Sequence, residues 1–139
     1  MWVELAEQHG YECAEPATEA DLERAAKELG TPLAFDLREL LLETNGLTSA
    51  EGAATVFDVD EIIARNLDMR RDERFTRNFM PFDALLIFGE EGGGDLCAFP
   101  IVDGINDDGA VFVWEHQTDS RISAMVDLED FLAPPSDAE

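Results

Sequence analysis

Three segments, taken in order, restrict what this chain can fold into. The first is a helical pair broken at Leu29-Gly30-Thr31-Pro32-Leu33 and ended at Asn45-Gly46. The second is a glycine-rich hairpin, running from Leu85-Leu86-Ile87-Phe88 through Gly89–Gly94 to Leu96-Cys97-Ala98-Phe99. The third is a strand, Val111-Phe112-Val113-Trp114, that runs into Glu115-His116 and is followed by a short acidic helix at Asp127–Leu132. Helices, then strands, then a helix predict an α+β domain, because parallel βαβ units need the two element types to alternate. The expected architecture is a mixed, mostly antiparallel sheet of about 4–6 strands packed by helices.

Local signals place the elements. Residues 2–9 favour a short helical turn with Trp2, Leu5 and Ala6 on one side, broken at Glu15-Pro16-Ala17. Thr18 and Asp21 make an approximate capping box. Leu22, Ala25, Ala26 and Leu29 fall at i, i+3, i+4 and i+7, which is one apolar helical face. Gly30 supplies a left-handed terminus and Pro32 prevents continuation. A second helix starts near Ala34, turns Leu33, Leu37, Leu40 and Leu41 inward, and stops at Asn45-Gly46. Thr55-Val56-Phe57 reads as a short strand, and Asp58 with Glu61 opens a helix that buries Ile62 and Ile63 and reaches Leu67. Residues 68–81 look polar and irregular. Leu85–Phe88, Leu96–Ile101, Val111–Glu115 and Arg121–Val126 are expected strands, with Ile122 and Ala124 sharing one face of the last. Pro100 marks an edge position or a strand exit. No repeat or linker interrupts the pattern, so residues 1–139 are expected to form one domain, with 1–17 an N-terminal extension and 133–139 a frayed tail.

Composition narrows the function. With 45% apolar residues the chain supports a packed core, and a domain of this size buries roughly two thirds of its extended surface on folding. No apolar run approaches the roughly 20 residues of a membrane span. Acids sit where a signal peptide needs basic residues, so the cytosol is the expected compartment. Cys13 and Cys97 lack Cys-x-x-Cys spacing, which favours buried thiols over a disulfide or a metal pair. The net charge of −23 argues against nucleic acid and anionic membranes as partners, since both are polyanions. It favours salt-sensitive attraction to a basic partner. Adaptation to a salty cytoplasm or a GC-rich genome is the alternative source of a chain with one lysine (Lys27), eight arginines and many acids. Residues 65–77 stand apart: Arg65, Arg70, Arg71, Arg74 and Arg77 against Asp68, Asp72 and Glu73 give a local charge of +2. Such a segment either supports self-association or pairs internally.

Candidate chemistry is sparse. The Gly89–Gly94 loop has Asp95 where a phosphate-binding loop needs lysine, and Glu90 and Glu91 repel phosphate, so its glycines serve a hairpin tip. Asn106-Asp107-Asp108-Gly109 with Glu115 partly matches a calcium loop, but Gly104 occupies the first ligand position and the flanks read as strands. A Cys97–His116 nucleophile pair needs hydrogen-bond reach and an orienting group, and Cys97 between Leu96 and Ala98 reads as a small core residue. No metal, cofactor or catalytic group is expected.

Helix, Leu29-Gly30-Thr31-Pro32-Leu33, helix and Asn45-Gly46 together resemble the opening of the SMI1/KNR4 (SUKH) superfamily. Phe88-Gly89-Glu90 … Gly92-Gly93-Gly94-Asp95 resembles its glycine–aspartate hairpin. Trp114-Glu115-His116 resembles its strand-end acid–histidine motif, and Leu128-Glu129-Asp130-Phe131-Leu132 its closing helix. The resemblance covers roughly residues 18–132 and departs at Gln117, where many members carry glutamate. It implies an α+β domain without catalysis or cofactor, acting by protein contacts. Bacterial members resemble immunity proteins that neutralise a cognate toxin, and many such toxins are nucleases with basic clefts. Fungal relatives regulate cell-wall synthesis.

The expected binding residues lie in loops. They are Glu90, Glu91 and Asp95 at the glycine hairpin, Asp107 and Asp108 in the following turn, and Trp114, Glu115, His116 and Asp119 at the strand end. If the strands are neighbours, these loops gather at one rim of a sheet, where loops carry binding function. Trp114 is an aromatic anchor if its ring faces outward, and core if it follows the alternation with Phe112. The expected partner is a protein toxin with a basic surface, bound by a monomer or weak dimer.

Overall fold

A computed structural model of the chain describes residues 1–90, 94–101, 110–125 and 127–133. Among these the elements run α1 (Trp2–Gln8), β1 (Glu12–Cys13), α2 (Glu19–Leu29), α3 (Phe35–Glu43), β2 (Leu47–Thr48), β3 (Ala54–Val56), α4 (Val59–Arg71), α5 (Glu73–Thr76), β4 (Leu85–Glu90), β5 (Leu96–Pro100), β6 (Val111–Glu115), β7 (Ser120–Met125) and α6 (Leu128–Leu132). The fold is α+β, as the order of segments requires.

The helical pair forms by the expected devices. Thr18 and Asp21 close a reciprocal capping box on α2. Gly30 ends that helix at φ 74°, a left-handed conformation that costs glycine little. Leu22, Ala25 and Leu29 on α2 and Leu37, Leu40 and Leu41 on α3 are buried. Helix α1 is part of the same core through Trp2 and Ala6.

The expected, mostly antiparallel strands are present, in two sheets rather than one. They divide into a three-stranded sheet, β1-β2-β3, and a four-stranded sheet, β4-β5-β6-β7, and every pairing is antiparallel. The two sheets meet where β3 approaches β4. Phe57 N–H donates to the Phe88 carbonyl at 2.7 Å, and a Cβ on Gly89 would lie 1.8 Å from the Thr55 carbonyl oxygen. Backbones this close leave no room for a side chain, so glycine is obligatory at that point. The β4–β5 register slips between Ile87 and Gly89. At Ile87 the buried Asn66 of α4 acts as a neighbouring strand would. Its Oδ1 accepts from Ile87 N–H (2.8 Å), and its Nδ2 donates to the Ile87 carbonyl (2.8 Å) and to Ile62 (2.7 Å). Pro100 sits at the end of β5, beyond its last pairing with β6, and so marks a strand exit.

Residues 68–81 are also more ordered than their polarity predicts. Helix α4 continues to Arg71, Asp72 caps α5 by accepting from Arg74 N–H, and three phenylalanines anchor the segment. Phe79 and Phe82 each meet the Trp114 ring edge-on with centroids 5.2 Å apart, and Phe75 packs on Phe82. Phenylalanines spaced among arginines give no helical periodicity, so the charges hid them. Those arginines pair within the molecule: Arg65 with Glu61 (3.0 Å), Arg74 with Asp72 (2.9 Å) and Arg77 with Glu73 (2.8 Å). Arg70 donates to the carbonyls of Leu29 and Leu85, tying the end of α2 to the start of β4. On β7, Ile122 is 49% exposed and faces solvent rather than the core.

Candidate interaction surface

The surface is built on a joint at Thr44-Asn45-Gly46. Thr44 Oγ accepts from Ala14 N–H (2.6 Å) and donates to the Gly46 carbonyl (2.8 Å). Asn45 Oδ1 accepts from Val59 N–H (2.9 Å), one of the amides that the first turn of α4 leaves without a helical partner. Gly46, at φ 109°, lets the chain pass so near β3 that a Cβ would touch the Val56 carbonyl at 3.0 Å. The joint thereby fixes the N-terminal segment, β3 and the start of α4 around a common opening.

That opening is a cleft of about 450 Å³. Its floor is apolar, from Leu47, Val56 and Phe57, and Cys13 forms part of its wall. Burial pushes the Cys13 thiol up, with the Glu7 charge adding to the effect. Glu12 of β1, Glu61 of α4 and Glu90 of β4 border it. Glu61 is engaged by Arg65, whose guanidinium also lies 4.8 Å over the Phe57 ring. The carboxylates of Glu12 and Glu90 make no hydrogen bond or ion pair among the described residues.

Glu90 links the cleft to a rim of the four-stranded sheet. The register sets Glu90 beside Leu96, Leu96 beside Trp114 and Trp114 beside Arg121, one row across all four strands. Asp95, Glu115 and His116 lie at the same end. The Asp95 carboxylate accepts from His116 N–H (3.2 Å) and lies 2.7 Å from His116 Nδ1. These two bonds hold the Asp95 carboxyl below its ordinary value. Gly94, at φ 98°, lets the histidine ring settle against the backbone, since a Cβ there would be 3.1 Å from it. The pair clasps the β4–β5 hairpin to the end of β6.

Asp119 makes a second clasp. It takes the left-handed conformation (φ 59°), tolerable for aspartate, in the turn between β6 and β7. Its carboxylate accepts from Trp114 Nε1 (2.7 Å), Met80 N–H (2.9 Å) and Arg121 (3.1 Å). Burial works against its charge, but these donors prevail and hold its carboxyl below the ordinary value. Arg121 also donates to the Met80 and Pro81 carbonyls and covers Phe82 at 4.6 Å.

The structure thus brings Glu90, Asp95, Trp114, Glu115, His116 and Asp119 to one end of a sheet, but not in one role. Trp114 is 4% exposed, enclosed by Phe79 and Phe82, and is a core residue rather than an outward anchor. Asp119 and Asp95 are spent on the clasps. Glu90, the partly exposed Glu115 and the 40%-exposed His116 remain accessible. Glu91, Asp107 and Asp108 lie outside the described residues. The strand ends that flank the latter two, Pro100 and Val111, are at the opposite end of the sheet from the rim. Sequence reasoning missed the cleft, because Glu12, Asn45, Phe57 and Glu90 are far apart in the chain and only the joint assembles them.

Among the described residues, no three or more His, Cys, Asp or Glu side chains converge as for a metal ion, and no helix is long and apolar enough to cross a membrane. No curated protein sequence matches the chain. A family model, SUKH_6, described as SMI1-KNR4 cell-wall, matches residues 19–132, from the first residue of α2 to the last of α6. With the helical pair, the paired strands β4 and β5, the Asp95–His116 clasp and the closing helix all in place, the chain belongs to the SMI1/KNR4 (SUKH) superfamily.

Proposed function

We propose that this chain is a non-catalytic binding domain that neutralises a cognate protein toxin in the cytoplasm, as an immunity protein does. The carrying observation is the accessible acid surface formed by the cleft and the rim, on a chain of net charge −23. Membership of a family that is generally non-catalytic agrees with action by contact. A toxin domain with a basic substrate cleft, such as a nuclease, complements this surface in charge, and complementary fields speed encounter and exclude wrong partners. The test is co-expression with the product of the adjacent gene. Rescue of growth and co-elution on a sizing column are expected; neither rescue nor a complex would sink the reading.

The family description, SMI1-KNR4 cell-wall, favours a second reading, a regulatory module for an endogenous partner. Affinity capture from the native cell separates the two. A housekeeping protein recovered stoichiometrically supports regulation, and recovery only when the toxin is present supports immunity.

A further inference from the structure

The N-terminal strand β1 precedes the family match, yet it supplies one wall of the cleft. Helix α1, just before it, is anchored in the core by Trp2 and Ala6, so this wall is fixed rather than loosely apposed. The cleft falls in the volume range of small-ligand sites, roughly 300–1,000 Å³. Its chemistry is uneven: an apolar floor of Leu47, Val56 and Phe57 lies beneath the two uncommitted carboxylates, Glu12 and Glu90, which come from different sheets. Arg65 already shows what suits such a setting. Its guanidinium lies over the Phe57 ring and pairs with Glu61 at the cleft border.

We propose that the cleft is the seat for an arginine side chain of the protein partner, its guanidinium bridging Glu12 and Glu90 and its aliphatic stem lying on Leu47 and Val56. A planar fork of donors between two carboxylates, with apolar surface for the stem, suits arginine better than lysine, whose ammonium is a compact and strongly hydrated point charge. The strand β1 then acts as a specificity wall, because Glu12 is contributed by the segment that the family model does not include. This rests on the binding function proposed above and names the contact that serves it.

The probe is a blocked Gly-Arg-Gly peptide titrated into the full-length, isotope-labelled chain, followed by amide NMR shifts, with the citrulline peptide as the neutral isostere. Saturable shifts confined to Leu47, Val56, Phe57 and Glu90 are expected, together with slower alkylation of Cys13 and no response to citrulline. Glu12→Gln with Glu90→Gln is expected to weaken the arginine peptide by about tenfold or more while leaving the melting temperature unchanged, since neither carboxylate bonds to another of the described residues. Non-saturating shifts spread over the acidic surface, equal binding of citrulline, or unchanged binding by the double variant would each overturn the proposal. The probe is not the toxin, so this result is independent of the co-expression assay. A complex that survives the double variant unweakened moves the contact elsewhere and leaves the binding function standing.

Discussion

The Thr44–Gly46 joint and the cleft beside it share the same backbone, yet they use polar atoms in opposite ways. In the joint, polar groups are committed: Thr44 bridges Ala14 and Gly46, and Asn45 caps α4 through Val59. Asn66, one helix away, is committed in the same manner to Ile87. In the cleft, the Glu12 and Glu90 carboxylates have no partner among the described residues, so neutralising them is expected to leave stability unchanged. The residues that carry the family resemblance, Asn45-Gly46, Gly89, Gly94-Asp95 and His116, are largely consumed in building the frame. Under the proposed function, binding chemistry falls to side chains placed on that frame, one of them, Glu12, outside the family match.

Substitutions in the joint and its neighbours should therefore destabilise, in an order fixed by what each group touches. Gly89→Ala is expected to be the most damaging. Its methyl would collide with rigid backbone at Thr55, so denaturant unfolding should show a loss of more than about 3 kcal/mol, at or beyond the usual range for overpacking. A loss below 1 kcal/mol on that scale would mean that the two sheets part easily there. Asn66→Ala should follow at about 2–3 kcal/mol, because it leaves a buried amide and carbonyl of Ile87 unpaired. Faster hydrogen exchange at the Ile87 amide is the specific sign, and unchanged exchange there would contradict the role. Asn45→Ala removes a single capping bond at the start of α4, worth about 1 kcal/mol. Its exchange signature should be confined to Val59 and the first turn.

Much of this frame was legible in the sequence, and the reasons are local. A capping box, a glycine–proline break and leucines at helical spacing act within a few residues, so α2 and α3 emerged with their buried faces. The hairpin strands emerged for the same reason. What remained hidden depends on long-range placement. Asn66 looks like any polar helix residue until Ile87 is beside it. Phe75, Phe79 and Phe82 acquire meaning only against Trp114, and by enclosing that ring they decide between its two readings in favour of core. The cleft is the extreme case, since its walls come from residues 12, 61 and 90. The acids of the cleft and rim, being unconstrained by packing, carry no periodic signal at all.

The Asp119 clasp gives a smaller effect with a definite pH sign. Its carboxyl is held below the ordinary value of 3.8, so its charged form stabilises the fold fully above that value, and the benefit fades as pH falls through 3.8 toward the lower folded-state value. Asp119→Asn should accordingly lower the melting temperature most at pH 5–7, with the gap to the wild type closing below about pH 4. A gap that stays constant with pH would show that shape, not charge, holds the turn to Met80.

If the acids of the cleft and rim recruit a basic protein, electrostatics sets how fast the two meet. The deciding quantity is the association rate between this chain and the purified product of the adjacent gene, measured as salt rises from about 0.01 to 0.15 M, where the Debye length falls from about 30 to 8 Å. Electrostatic recruitment predicts that the rate falls by about tenfold or more over that range, while dissociation changes little. An association rate that does not respond to salt would contradict it, and would leave the acidity to solubility or salt tolerance.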